Sequence, residues 1–124
     1  VRSIVTDPRL SLVHIPPDKP IGIPSPTQKQ IEAWDASAET DASVLSAYVA
    51  YPKSLGIPFD FILVDGRARC FCLRQGFELL RPGGVIVLHD AQRTQYHEAL
   101  RSLGTPVFLE PWQQGQIAFV RKPD

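Results

Sequence analysis

The sequence predicts an α/β fold with a mainly parallel sheet that finishes in a C-terminal antiparallel hairpin. Three observations carry this reading. Phe59–Val64 (FDFILV) and Val85–Leu88 (VIVL) are near-continuous apolar runs of strand length, the pattern of parallel strands covered on both faces. Between them, Arg67–Leu80 repeats with helical period: Cys70, Leu73, Phe77 and Leu80 fall on one side, and Arg74, Glu78 and Arg81 face elsewhere. Beyond them, Val107–Leu109 and Gln116–Val120 are short strands on either side of Glu110–Gly115 (EPWQQG), which reads as a hairpin loop.

The remaining elements follow in chain order. Val1–Val5 reads as the last turn of a helix or a short lead-in, broken at Asp7-Pro8 because the residue before proline is pushed out of the α region. Leu10–Ile15 (LSLVHI) is a candidate strand stopped by Pro16-Pro17. Pro16–Pro26 (PPDKPIGIPSP) excludes regular helix and interior strand and reads as a connecting loop. Its composition also suits a polyproline II ligand. Thr27–Trp34 is a short helix capped by Thr27. Ala36–Ser54 is a longer one, capped by Thr40 or Asp41 and ended by Pro52 and Gly56. Arg81-Pro82-Gly83-Gly84 turns the chain into the second buried strand, and Thr94–Leu103 forms the next helix, ended by Gly104 and Pro106. The strand–helix–strand order from Phe59 to Leu88 calls for a right-handed parallel crossover.

At 124 residues the chain has the length of a single domain, 1–124, in which residues 1–58 form a proline-rich first part. Of the 12 prolines, eight lie at or before Pro58, and there is no methionine, which fits a chain that starts partway through a gene product. The formal net charge of +0 provides no global field for nucleic acid or an anionic membrane. No apolar run approaches the ~20 residues that span a bilayer, and no signal-peptide pattern opens the chain. The default expectation is a cytoplasmic protein with a small-molecule partner. Cys70 and Cys72 stand two apart and point to different faces of a helix, so they read as small apolar packing residues rather than a disulfide or a metal pair. There is no phosphate-loop, H-E-x-x-H, C-x-x-C or G-x-S-x-G pattern, so nucleotide triphosphatase, zinc protease, zinc-finger and serine hydrolase readings lose their main support.

In open parallel sheets, ligands bind at the carboxyl ends of the strands. That rule selects Asp65-Gly66-Arg67 after the first buried strand and His89-Asp90 after the second. If the strands are neighbours, Asp65 and Asp90 share one rim, where two carboxylates can hold a divalent cation, fix an ammonium or hydroxyl, or act as a general base. His89 can shuttle a proton or ligate metal. Structural alternatives stand beside each role. Asp65 before Gly66 suits a turn or a helix cap, Asp90 a cap for the next helix, and His89 a packed side chain. Arg67 and Arg69 begin a helix, where the dipole disfavours cations, so one of them is expected to pair with Asp65, Asp90 or an anionic ligand, or else to be solvated. His14 and His97 carry no functional expectation, His97 as an exposed helical residue. Of the aromatic residues Trp34, Tyr48, Tyr51 and Trp112, the loop residue Trp112 is the candidate for stacking on a ligand.

The segments FDFILVDGRARCFC and LLRPGGVIVLHD together resemble class I S-adenosylmethionine-dependent methyltransferases, whose domain is Rossmann-like. In that family an acidic strand end is followed by a helix, an L-x-P-G-G turn and a strand that often ends in a second acidic residue, and the domain closes with a hairpin. Residues 59–124 match well as β-α-β-α-β-β. Val1–Pro17 matches more loosely, as a helix end and the third strand. The resemblance implies a methyltransferase in which Asp65, Gly66 and Arg67 lie beside S-adenosylmethionine and Asp65, His89 and Asp90 serve the acceptor. Asp65 and Asp90 are the metal ligands if the protein resembles the metal-dependent branch. No G-x-G is present, so the cofactor loop and the first two strands of the family are missing, and the domain is expected to be truncated relative to it. The alternatives are a non-catalytic interaction or scaffold domain, completed by a second copy or a partner chain that supplies strands, and a nucleotide-sugar-dependent transferase binding a metal–diphosphate at the same acidic pair.

Overall fold

The computed structural model describes residues 7–124; the expectation for Val1–Val5 lies outside them. The order is α1 (Gln28–Thr40), α2 (Ser46–Ser54), β1 (Phe59–Val64), α3 (Arg69–Leu79), β2 (Leu80–His89), a 3₁₀ turn (Thr94–Tyr96), α4 (His97–Leu103), β3 (Val107–Phe108) and β4 (Ile117–Arg121). The four strands form one sheet in the order β1-β2-β4-β3. β1 and β2 run parallel. β2 with β4, and β4 with β3, are antiparallel. The sheet is therefore mixed, not mainly parallel: the final hairpin inserts β4 directly beside β2, so antiparallel pairings outnumber the parallel one.

Burial alternates along the strands with the period of two that the pleat imposes. On one face Val64, Ile86, Leu88, Ala118 and Val120 are buried with Leu73 of α3 and Ala99 and Leu100 of α4. On the other face Phe61 and Leu63 of β1 are 59% and 56% exposed, Ile117 of β4 is 38% exposed, and Val85, Val87 and Phe119 are half-buried. The register lines these residues up, with Phe61 opposite Val85, Leu63 opposite Val87 and Val87 opposite Phe119. α3 packs on β1 and β2, while α1, α2 and α4 pack on α3. The expectation of two covered faces thus fails. β1 is apolar at every position but Asp60 yet meets the helices on one side only, and among the described residues it pairs with β2 on one edge only.

Within β2 the register slips, with Phe59 opposite Leu80 but Phe61 opposite Val85, so the Arg81–Gly84 turn is looped out of a strand that starts earlier than the apolar run. Gly83 takes φ +82° there, a backbone glycine adopts freely. Leu80, expected to end the helix, is the first residue of β2. Lys122 closes α3 instead, donating its ammonium protons to the carbonyls of Phe77, Glu78 and Leu80 at 3.3, 3.3 and 2.9 Å.

The proline-rich half departs most from expectation. Leu10–Ile15 is irregular rather than a strand, and the looser match of that stretch to a third strand fails with it. Prolines flank it closely, and Leu10, Leu12 and Val13 stay exposed. Thr27 caps α1 with a reciprocal capping box, Gln30 N donating to Thr27 Oγ1 at 3.2 Å and Thr27 N to Gln30 Oε1 at 2.9 Å. The helix runs past Trp34 to Thr40, and one helix over Ala36–Ser54 is corrected to two. The break is chemical: the Asp41 carboxylate accepts from Ser43 N and Ser43 Oγ at 2.9 and 2.6 Å, folding a turn that competes with the helix. The cap of α2 comes from afar, since Asp18 Oδ2 accepts from Ala47 N and Ser46 Oγ, each at 2.9 Å. Together with Trp34 Nε1 donating to Lys19 O at 2.8 Å, this pins the proline-rich loop to both helices. Pro52 lies inside α2 rather than ending it; Gly56, at φ +67°, makes the stop. Among the described residues no helix is long and apolar enough to cross a membrane.

Candidate functional site

The two parallel strands end side by side, Val64 opposite Leu88, and that adjacency brings together what the sequence separates. Asp65, His89 and Asp90 each place one ligand-type atom within 4.8 Å of the others. His89 Nδ1 lies 3.1 Å from Asp65 Oδ1 and 3.4 Å from Asp90 Oδ2. It is buried and close enough to both carboxylates for charge pairing, yet aligned for a hydrogen bond with no partner. Asp90 sits at φ +59°, the left-handed region that a residue with a side chain enters at a cost of roughly 1–2 kcal/mol. The next amide holds it there, Ala91 N donating to Gln116 O of the hairpin at 2.8 Å. Neither carboxylate plays the structural part open to it from the sequence: the Asp65 side chain does not cap α3, and the Asp90 side chain does not cap the 3₁₀ turn.

Arg69 ties the two strand ends together. Its guanidinium is buried, the residue being 7% exposed, and its hydrogen bonds and ion pairs go to the rim. Nε donates to Gly66 O at 2.8 Å and Nη1 to His89 O at 2.7 Å. Nη2 stands 3.7 Å from Asp65 Oδ1, and Nη1 3.5 Å from Asp90 Oδ2. The Tyr96 ring lies under it, 5.6 Å from Cζ. Arg93 adds a second cation 3.6 Å from Asp90 Oδ2. Desolvation pushes the Asp90 carboxyl up, but the Gln92 amide and the charges of His89, Arg93 and Arg69 outweigh it and hold its pKa below the ordinary 3.8. Of the two arginines expected to pair with the rim, Arg69 does so; Arg67 turns away to Asp35, 3.2 Å distant.

Glu39 of α1 is the residue the sequence concealed. Its carboxylate accepts from Ala68 N at 2.9 Å and from Arg69 N at 3.0 Å, occupying the N-terminus of α3. Ala68, at φ +54°, bends the chain so that both amides face it. The one local sign was that Asp35 and Glu39 stand four apart on a helix, so they share the face that meets Arg67 and Arg69.

A 190 Å³ pocket opens beside His89, between the hairpin residues Leu109, Glu110, Trp112, Gly115, Gln116 and Ile117. Trp112 is 79% exposed at its mouth. His97, expected to be exposed, is instead half-buried, its Nε2 2.7 Å from Ala91 O and its ring edge-on to Phe108. Trp34 serves packing, bordering the small cluster of Ala38, Val44, Leu45 and Ala68. Cys70 and Cys72 pack against the main core as expected. Burial first, and the Glu39 charge second, push the Cys72 thiol up to about 12.

A methyl at Gly66 would meet the Tyr48 hydroxyl at 2.7 Å, so the backbone approach that a glycine offers a ligand is taken by the protein's own side chain. Arg67 is paired with Asp35, and among the described residues no strand lies outside β1. No family model and no curated protein matches the sequence. Among solved structures the chain is similar to one described as "A putative sam-dependent methyltransferase from Streptococcus mutans". The identity is 16% and the TM-score 0.44, over 61% of this chain and 28% of that one. This chain thus spans little more than a quarter of the length of that structure.

Proposed function

We propose that this chain is the acceptor-side part of an S-adenosylmethionine-dependent methyltransferase domain. The supporting observation is the convergence of Asp65, His89 and Asp90 within 4.8 Å at the carboxyl ends of two adjacent parallel strands. The sequence resemblance in FDFILVDGRARCFC and LLRPGGVIVLHD supplies the reaction class. Within that reading, the residues here bind and orient a small acceptor in the pocket between His89 and Trp112, with the indole as the apolar wall. The carboxylates on the Nδ1 side of His89 favour the proton there. That leaves Nε2 to accept a proton from an acceptor hydroxyl or amine. Methyl-donor binding would fall to segments other than those described, and Asp65, Gly66 and Arg67 would border it.

The coding sequence upstream of Val1 tests this directly. A Gly-rich strand–turn–helix there supports the reading, and calorimetry on the full polypeptide should then detect S-adenosylmethionine binding. A stop codon in that position would sink it.

The uncovered sheet face favours a second reading. Phe61, Leu63 and Ile117 expose apolar surface on that face, and among the described residues β1 is an edge strand, which is a template for another strand. In this reading the chain is a non-catalytic interaction domain completed by another chain. Sedimentation equilibrium separates the two: a stable dimer with no S-adenosylmethionine binding favours the second.

A further inference from the structure

We infer that Arg69 is the resident cation of the rim, and that Asp65 and Asp90 are held by it in place of a divalent metal. The inference rests on the reading of this rim as the functional site. Its geometry can be judged apart from the reaction.

The side-chain atoms that converge on the rim include Asp65 Oδ1, Asp90 Oδ2 and His89 Nδ1. Two of them already face Arg69: Nη2 lies 3.7 Å from Asp65 Oδ1 and Nη1 lies 3.5 Å from Asp90 Oδ2. Arg93 stands 3.6 Å from the same Asp90 oxygen. Two carboxylates thus face two guanidinium groups. A divalent ion among these oxygens would sit against a buried guanidinium that already faces two of them. Arg69 cannot swing away without leaving the carbonyls of Gly66 and His89 short of their donors, and its stem is set by a helix start that Glu39 caps. An arginine is suited to this post because its planar fork donates in several fixed directions at once and stays charged at any accessible pH. The single side chain therefore joins two loops and stands between two carboxylates. It also withdraws the main support from the metal–diphosphate reading of the same acidic pair.

Arg69 acts here as a positioning residue, and its charge should be separable from its structural part. Mn²⁺ alone is the probe, followed by the loss of its free-ion electron paramagnetic resonance signal. The wild-type chain should bind Mn²⁺ no more tightly than about 1 mM. Arg69→Gln should gain a site at least about tenfold tighter, and Arg69→Gln with Asp65→Asn should lose it again. Arg69→Lys, which keeps the charge without the fork, should stay as silent as wild type. Submillimolar binding by the wild type that Asp65→Asn abolishes would overturn the inference, and so would a folded Arg69→Gln that gains nothing. If circular dichroism shows Arg69→Gln unfolded, Arg93→Gln takes its place, with a smaller gain expected and its silence decisive against. None of these readings needs methyl transfer, so failure of the proposed activity would leave them standing.

Discussion

The two faces of the one sheet have similar residues and opposite fates. Ile86, Leu88, Ala118 and Val120 point at α3 and α4 and are sealed. Their neighbours one position along, Val85, Val87, Ile117 and Phe119, point the other way and stay half-buried or exposed, as Phe61 and Leu63 stay exposed. The difference teaches that an apolar strand announces how buried it can become, not which of its faces this chain covers. The rim cluster lies where the covered core ends, and its buried cation comes from the helix-bearing side.

Mutation should expose the asymmetry most strongly. Leu88→Ala on the covered face should cost ~2–5 kcal/mol in chemical denaturation, because the cavity is walled by α3 and α4. Phe61→Ser and Leu63→Ser on the open face should each stay within ~0.5 kcal/mol. Equal losses on both faces, with a concentration-dependent midpoint, would break the comparison and show that another chain covers the open face in solution. A smaller effect, ~0.5–2 kcal/mol, is expected for Glu39→Ala, which uncaps α3 on the covered side. A hydrogen-exchange map should then show faster exchange at Ala68 and Arg69 than in β2, and uniform loosening would contradict the local role.

The smallest effect belongs to acid. Asp90 has its folded-state pKa held below the ordinary 3.8, so its contribution to stability is present above that value and fades as pH falls through the folded one. Asp7, Asp18 and Asp41 are lowered as well, Asp7 by Arg9, Asp18 by the Ala47 amide and Asp41 by the Ser43 hydroxyl. Melting curves of Asp90→Asn and wild type should therefore differ most near neutrality and converge below about pH 4, the residual acid sensitivity coming from the other three. A gap that widens on acidification would refute the assignment.

The strands of the second half, the helix between β1 and β2, the hairpin and the Thr27 cap were all legible from local pattern, because apolar period, proline, glycine and capping residues act within a few positions of themselves. So was the position of Asp65 and His89-Asp90 on one rim, since it follows from where parallel strands end. Contacts between distant positions were not. Asp18 capping α2, Glu39 capping α3 and Lys122 closing α3 each join residues that no local pattern relates. The sheet order was likewise beyond periodicity, which cannot say that β4 inserts beside β2 and turns a parallel sheet into a mixed one. Sequence alone determined that two carboxylates and a histidine would stand at strand ends. Only the tertiary structure decided that a buried Arg69 would stand among them, because a charge leaves water only where folding assembles enough partners to replace it.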